Sequence, residues 1–263
     1  MWPSWWGSLC ATASADGVAK ELSPVRRAAS ALAVALFVVV LLPPIVTQAH
    51  RYDWVEALQY AVLGLVAPGL FVSGGPWARL GLAQPAATLA TARRRHPERA
   101  RSAVLVGLAL SCLVAWRVPT TVDGLVSNRW LLALEAVTLA CSGTVLWLEC
   151  ISSPPLVPRS TRPFRIALSA VCMWTTWVLA YMVAMSNANW YPAYRHLVGR
   201  GLSGAADQQV TAGVLWLVAT ACFVPVIFYN LVAWLHSEED PDEALNRMVR
   251  EERRRAGPRP DRP

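Results

Sequence analysis

The stretch VTAGVLWLVATACFVPVIFYNLVAWL, residues 210–235, contains no charged side chain and decides the fold class. A run of roughly 20 apolar residues crosses the hydrocarbon core of a bilayer as a helix and is too long for an ordinary globular core. Five further runs of the same kind lie upstream, near 28–48, 54–74, 102–118, 130–151 and 166–185. A segment in lipid must satisfy its own N–H and C=O groups, and an open-ended segment does so only as a helix. The expected fold is therefore all-α, a polytopic bundle of about six transmembrane helices.

The basic residues orient this bundle. Lys20, Arg26 and Arg27 precede the first run. The second connection carries Arg79, Arg93, Arg94, Arg95, Arg99 and Arg101, and the fourth carries Arg159, Arg162 and Arg165. Arg247, Arg250, Arg253, Arg254, Arg255, Arg259 and Arg262 follow the last run. Of 24 Lys and Arg residues, only Arg51, Arg117, Arg129, Arg195 and Arg200 remain for the other three connections. Basic connections stay in the cytoplasm, so both termini are expected inside and the odd connections outside. The domain reading is a cytoplasmic tail over 1–27, a transmembrane domain over 28–236 and a charged, partly disordered cytoplasmic tail over 237–263. Ala244 to Arg255 has the pattern of a short amphipathic helix.

Composition narrows the function classes. A hydrophobic share of 55% and a mean hydropathy of +0.36 exceed what a soluble domain carries. The pI near 9.4 does not point to nucleic acid, because the basic residues are split among four cytoplasmic segments without an aromatic stacking surface. The anionic inner leaflet accounts for them. Many of the 13 tryptophans, among them Trp2, Trp5, Trp6, Trp54, Trp130, Trp190 and Trp234, lie near expected boundaries as an interfacial belt. Trp174 and Trp177 lie deeper, as packing or lipid-facing residues. Six scattered cysteines form no CxxC and suggest no disulfide framework. Residues 1–22 lack the basic start and apolar core of a signal peptide.

Prolines punctuate the spans. Pro43 and Pro44 should kink or end the first span early. Pro68, inside Ala67-Pro68-Gly69, marks a bend in the second, where Gly69 permits close approach of a neighbouring helix. The connection 77–101 reads as long and polar.

Polar residues within lipid are costly and so are candidates for function. Glu56, Gln59 and Tyr60 fall in the outer third of the second span, and Glu135 lies over one turn into the fourth. His50, Tyr52 and Asp53 occupy the first outer connection. Tyr191, Tyr194, His196 and Asp207 occupy the last, and Gln208 and Gln209 lead into the sixth span. Asp207 sits where the dipole of its own helix favours a carboxylate. Met182 and Met185 close the fifth span. An outer polar bowl of this composition could hold Cu(I), which favours thioether and imidazole donors, through His50, His196, Met182 and Met185. The bland reading is that the glutamates bond to neighbouring helices and the histidines are solvated loop residues. His96 and His236 are discounted. No nucleophile–base pair, P-loop or dinucleotide fingerprint is present.

Four motifs then occur in order. Glu56-Ala-Leu-Gln-Tyr-Ala-Val-Leu-Gly-Leu-Val-Ala-Pro-Gly-Leu is the first. Leu134-Glu135-Ala136 leading to Gly143 and Trp147 is the second, and Trp190-Tyr-Pro-Ala-Tyr194 the third. Gly201-Leu-Ser, Asp207-Gln-Gln, Gly213 and Trp216 form the fourth. Together they resemble the CtaG-like cytochrome c oxidase assembly factors, with ordered matches from about Glu56 to Trp216. The family pattern has His-Met-x-Gln-His, Leu-Glu-His, Tyr-Pro-x-Tyr and Asp-Gln-Gln at these places, and usually seven spans. Here Glu56, Tyr60 and Ala136 stand where the pattern has histidines.

The resemblance implies a non-enzymatic, multi-pass factor of a bacterial cytoplasmic membrane. It would assist cytochrome c oxidase assembly through contact with oxidase subunits, with copper delivery from the outer-face site as one route. The alternatives are a small transporter or channel using Glu56 and Glu135, or a metal-free structural subunit of a respiratory complex. A relay is disfavoured because no acidic residue continues through the inner half, and Glu149 lies near the inner boundary.

Overall fold

The computed structural model describes residues 15–95, 99–186, 190–197 and 202–238. The readings made for Trp2, Trp5, Trp6, Cys10 and the two charged tails beyond these limits lie outside the described residues. All regular elements described are helical. They are α1 (Ala15–Val40), α2 (Pro43–Ala49), α3 (Asp53–Ala61), α4 (Ala67–Gly74) and α5 (Ala83–Arg95). Then come α6 (Arg99–Trp116), α7 (Pro119–Ser127), α8 (Arg129–Cys150), α9 (Arg162–Met185) and α10 (Gly204–Glu238). Five helical segments are long and apolar enough to span a membrane, and α1 with α2 forms a sixth, broken by 61°. This is the expected all-α, multi-pass bundle.

The break between α1 and α2 has the expected cause. Pro43 has no N–H to continue the ladder, and Leu42 before it is extended at φ −66°, ψ 142°. The break strands carbonyls at the end of α1. Gln59 satisfies one of them, its Nε2 donating to the Val40 carbonyl at 2.8 Å. A helix broken in lipid persists because a neighbour supplies the missing donor.

The span Asp53–Gly74 is the centre of the bundle. In its most apolar window 72% of residues are buried, against 28–39% for the other four continuous spans. It packs against α1, α8 and α10. Pro68 shapes it through hydrogen bonding. Its missing N–H would have met the carbonyl of Gly64, four residues back. The chain answers with a π turn over Val62–Val66, in which the Ala67 N–H reaches back to the Val62 carbonyl. Trp147 of α8 donates its indole N–H to the Leu65 carbonyl at 2.8 Å and stacks on Phe223 at 5.0 Å. The ring lies against Gly69, where a Cβ would stand 3.0 Å from it. The close approach expected at Gly69 is thus present. The expected bend takes the form of a π turn.

Two connections are more ordered than a loop. The long polar connection 77–101 contains α5, whose Ala86 and Ala90 are buried. Alanine has the best helix propensity, and Pro85 falls in the first turn where its missing N–H costs nothing. The third connection forms α7, with Pro119 as its first residue. The Asp123 carboxylate accepts from the Ala193 N–H at 2.9 Å, tying α7 to the short 3₁₀ turn Pro192–Leu197.

Candidate functional site: an ion-paired core at the outer end

The first, third and fifth connections, expected on the outer side, meet at one end of the bundle. Arg117 stands at the centre. It follows α6 directly and its side chain is 1% exposed. One guanidinium nitrogen pairs with Glu56 and the other lies 3.5 Å from Asp53 Oδ1. The guanidinium is sandwiched between Tyr191 and Tyr60, 4.8 and 5.5 Å from the ring centroids. Cation–π attraction strengthens where water is excluded. Tyr191 donates its hydroxyl to the Arg117 carbonyl at 3.2 Å, and Tyr60 donates to the Leu113 carbonyl at 2.9 Å. Tyr194 donates to the Ala49 carbonyl, the last of α2, at 2.9 Å. Burial pushes the Tyr191 and Tyr194 phenols above the usual tyrosine range, so both remain donors.

Asp53, expected in the outer connection, is instead the buried first residue of α3. Its backbone N–H donates to Asp207 Oδ2 at 2.9 Å, and that of Trp54 donates to Asp207 Oδ1 at 3.3 Å. Asp207 therefore caps α3 rather than serving the start of its own helix, where Ser203 Oγ accepts from the Ala206 N–H at 3.2 Å. The two glutamines after it hold a third helix. Gln208 Nε2 donates to the Val183 carbonyl at 2.6 Å while its Oε1 accepts from the Trp190 N–H at 2.9 Å. Gln209 donates to the Ala184 carbonyl at 2.9 Å. Three consecutive side chains thus close the open ends of α3 and α9 from the first turn of α10. Asp207→Ala is expected to cost about 1–2 kcal/mol, the range for a lost cap. Asp207→Asn should retain most of it, because an amide oxygen also accepts. Reversible unfolding of the purified protein in detergent checks this; equal losses would show that the charge matters and the acceptor does not.

Glu135 is 2% exposed, and its Oε1 has no hydrogen-bond partner. It lies within electrostatic reach of Glu56 and Arg117. Glu56 Oε1 is likewise unpartnered. The other oxygen of Glu56 is the one paired with Arg117. At the other end Glu149, expected near the boundary, is fully buried and paired with Arg93 at 2.9 Å.

The structure describes three of the four donors considered for copper. Met182 and Met185 are 47% and 59% exposed on α9. His50 lines a cavity of about 530 Å³ with Leu41, Pro43, Val46, Ser127 and Leu132, on the α2–α7 side. His196 falls in the Pro192–Leu197 turn, and its side chain lies outside what the structure describes. Among the described residues, no group of three or more His, Cys, Asp or Glu is arranged to hold a metal ion.

The order Glu56, Gly143, Trp147, Tyr191, Tyr194 and Asp207-Gln208-Gln209 is now a set of spatial contacts. The chain matches the family of cytochrome c oxidase caa3 assembly factors (Caa3_CtaG) over residues 6–237 of 263. It belongs to that family. Neither a curated protein nor a solved structure matches it.

Most residues that carried the resemblance to CtaG-like factors serve backbone groups. Gln59, Tyr60, Trp147, Tyr191, Tyr194 and Gln208 all donate to main-chain carbonyls that would otherwise lack donors or compete for them. Sequence reasoning missed Arg117 by counting it among loop arginines. The signal was available: it directly follows an apolar span between Trp116 and Val118, and an arginine at such depth needs a carboxylate.

Proposed function

We propose that this CtaG-family protein assists cytochrome c oxidase assembly as a rigid scaffold of the bacterial cytoplasmic membrane. Its outer end would present a fixed surface to an immature oxidase subunit. The observation that carries this reading is the buried Arg117–Glu56–Asp53 core with its tyrosine and Asp207-Gln208-Gln209 clasps. The ion pair and these clasps tie α3, α9 and α10 to the chain that follows α6. A surface that must receive a folding partner in one register benefits from such rigidity.

Copper delivery is the finer alternative within the same family role. It would need His50 and His196 to converge with Met182 and Met185, since a metal site requires a convergent ligand set. The exposure of both methionines favours the scaffold. The test is complementation of a strain lacking the protein, read as haem absorbance and oxidase activity of isolated membranes. Wild type and a His50→Ala, His196→Ala double variant should restore both equally. Cu(I) stoichiometry against a competing chelator is measured on the same two proteins. Failure of the double variant together with loss of one bound Cu(I) would replace the scaffold by a copper carrier. Normal oxidase without the protein would remove the assembly role itself.

A further inference from the structure

The inner end of the bundle has more positive donors than its own acceptors can use. Glu149 is the buried carboxylate there, and both its oxygens are occupied. Oε1 accepts from Arg93 Nη2 at 2.9 Å and Oε2 accepts from Ser102 at 2.7 Å. Arg93 Nη1 donates to the Leu148 carbonyl at 3.1 Å, but its Nε is buried without a partner. Arg159 lies close enough to Arg93 for their charges to oppose each other. Two of its donors, Nε and Nη1, are buried and unpartnered. The neighbouring Ser160 is 4% exposed, and its hydroxyl also has no partner. Arg165, one turn into α9, donates Nε to the Ser160 carbonyl at 2.9 Å, which holds this segment against the helix start. Thr161 caps α9 without a side-chain bond, so the first N–H groups of that helix also lack a side-chain acceptor.

Buried donors without acceptors cost free energy, more so when charged. Two like-charged guanidiniums beside one spent carboxylate make the deficit specific: what is missing is an anion with several acceptor oxygens. The segment lies on the fourth connection, at the inner membrane boundary. Phosphate oxygens of lipid headgroups are abundant at that depth, and basic pockets between helices on this side accept them.

We propose that Arg159, Ser160 and Arg93 at the start of α9 form a binding site for the phosphate of an anionic phospholipid of the inner leaflet. The phosphate supplies acceptors for the unpartnered Arg159 and Ser160 donors and offsets the repulsion between Arg159 and Arg93. The bound lipid thereby fixes the α8–α9 connection against α5.

The test uses the full chain, delipidated in neutral detergent and then supplied with phosphatidylglycerol or phosphatidylcholine. Retained lipid is counted by native mass spectrometry, and unfolding temperature is followed in parallel. Wild type should retain phosphatidylglycerol in preference and gain stability from it. Arg159→Gln should weaken that retention about fivefold, as expected for one arginine at a headgroup. Arg99→Gln, at an exposed inner arginine, should change it little. Equal losses in the two variants would overturn a built site in favour of diffuse attraction. Equal retention of both lipids by wild type would overturn it outright, even if Arg159→Gln does not fold. Inorganic phosphate supplied with phosphatidylcholine is the remaining arm. Stabilisation of wild type but not of Arg159→Gln by phosphate alone would overturn the lipid as the source of the anion.

Discussion

Arg117→Met is expected to destabilise the protein by about 3–5 kcal/mol, the cost of removing one partner from a buried ion pair. Glu56 and Asp53 remain behind, both buried, with no other cation described near them. Methionine fills similar volume between Tyr60 and Tyr191, so the loss reports charge and not a cavity. The double variant Arg117→Met, Glu56→Gln should recover a large part of the loss, because replacing a buried pair by neutral groups is often nearly neutral. Unfolding of wild type, both single variants and the double variant in one bicelle preparation gives the coupling. If the double variant were as unstable as Arg117→Met alone, the damage would come from the lost cation–π contacts or from Asp53 and not from an unpaired Glu56. The same variant probes function, since the scaffold reading ties oxidase assembly to this core.

Gly143→Ala should be the most damaging single methyl group in the membrane domain. A Cβ at that position would run into the Gly64 carbonyl and stand 2.8 Å from the Pro68 ring. Both are backbone-fixed: the carbonyl sits in the π turn and the ring cannot rotate away. Overpacking of this kind costs about 1–3 kcal/mol or more when nothing can move. Gly64→Ala is the matched control, for its Cβ would meet the tip of Leu113 at 2.7 Å, the end of a flexible side chain. It should cost clearly less. The comparison is made by thermal unfolding together with the yield of folded protein. A Gly64→Ala loss equal to that of Gly143→Ala would mean that the helices separate easily here and that the π turn does not hold α8 in place.

Gly143 also shows why a motif can be legible while its role is not. Gly143 and Trp147 are four residues apart and so share one face of α8, a relation visible in sequence. Their partners, the Gly64 and Leu65 carbonyls, became special because Pro68 lies downstream in another helix. The same holds for Asp207, whose two N–H partners are 153 and 154 residues away. A carboxylate at a helix start has a local explanation in its own dipole, and nothing local says that a second helix begins beside it.

The sequence alone determined the all-α, multi-pass class and gave an expectation for the direction of the spans. Apolar length and arginine placement are one-dimensional signals, imposed by the thickness of lipid and by the cost of moving charge across it. It also marked the break at Pro43 and a distortion at Pro68, since neither has an N–H to continue the ladder. Only the tertiary structure decided which polar residues serve one another. Arg117 reads as a loop arginine until α3 supplies Glu56 and Asp53. Met182 and Met185 read as closing residues of a span, and only packing shows that both side chains lie on the surface of the bundle. Burial and pairing depend on which helix faces are turned inward, and that is fixed by packing between segments far apart in the chain.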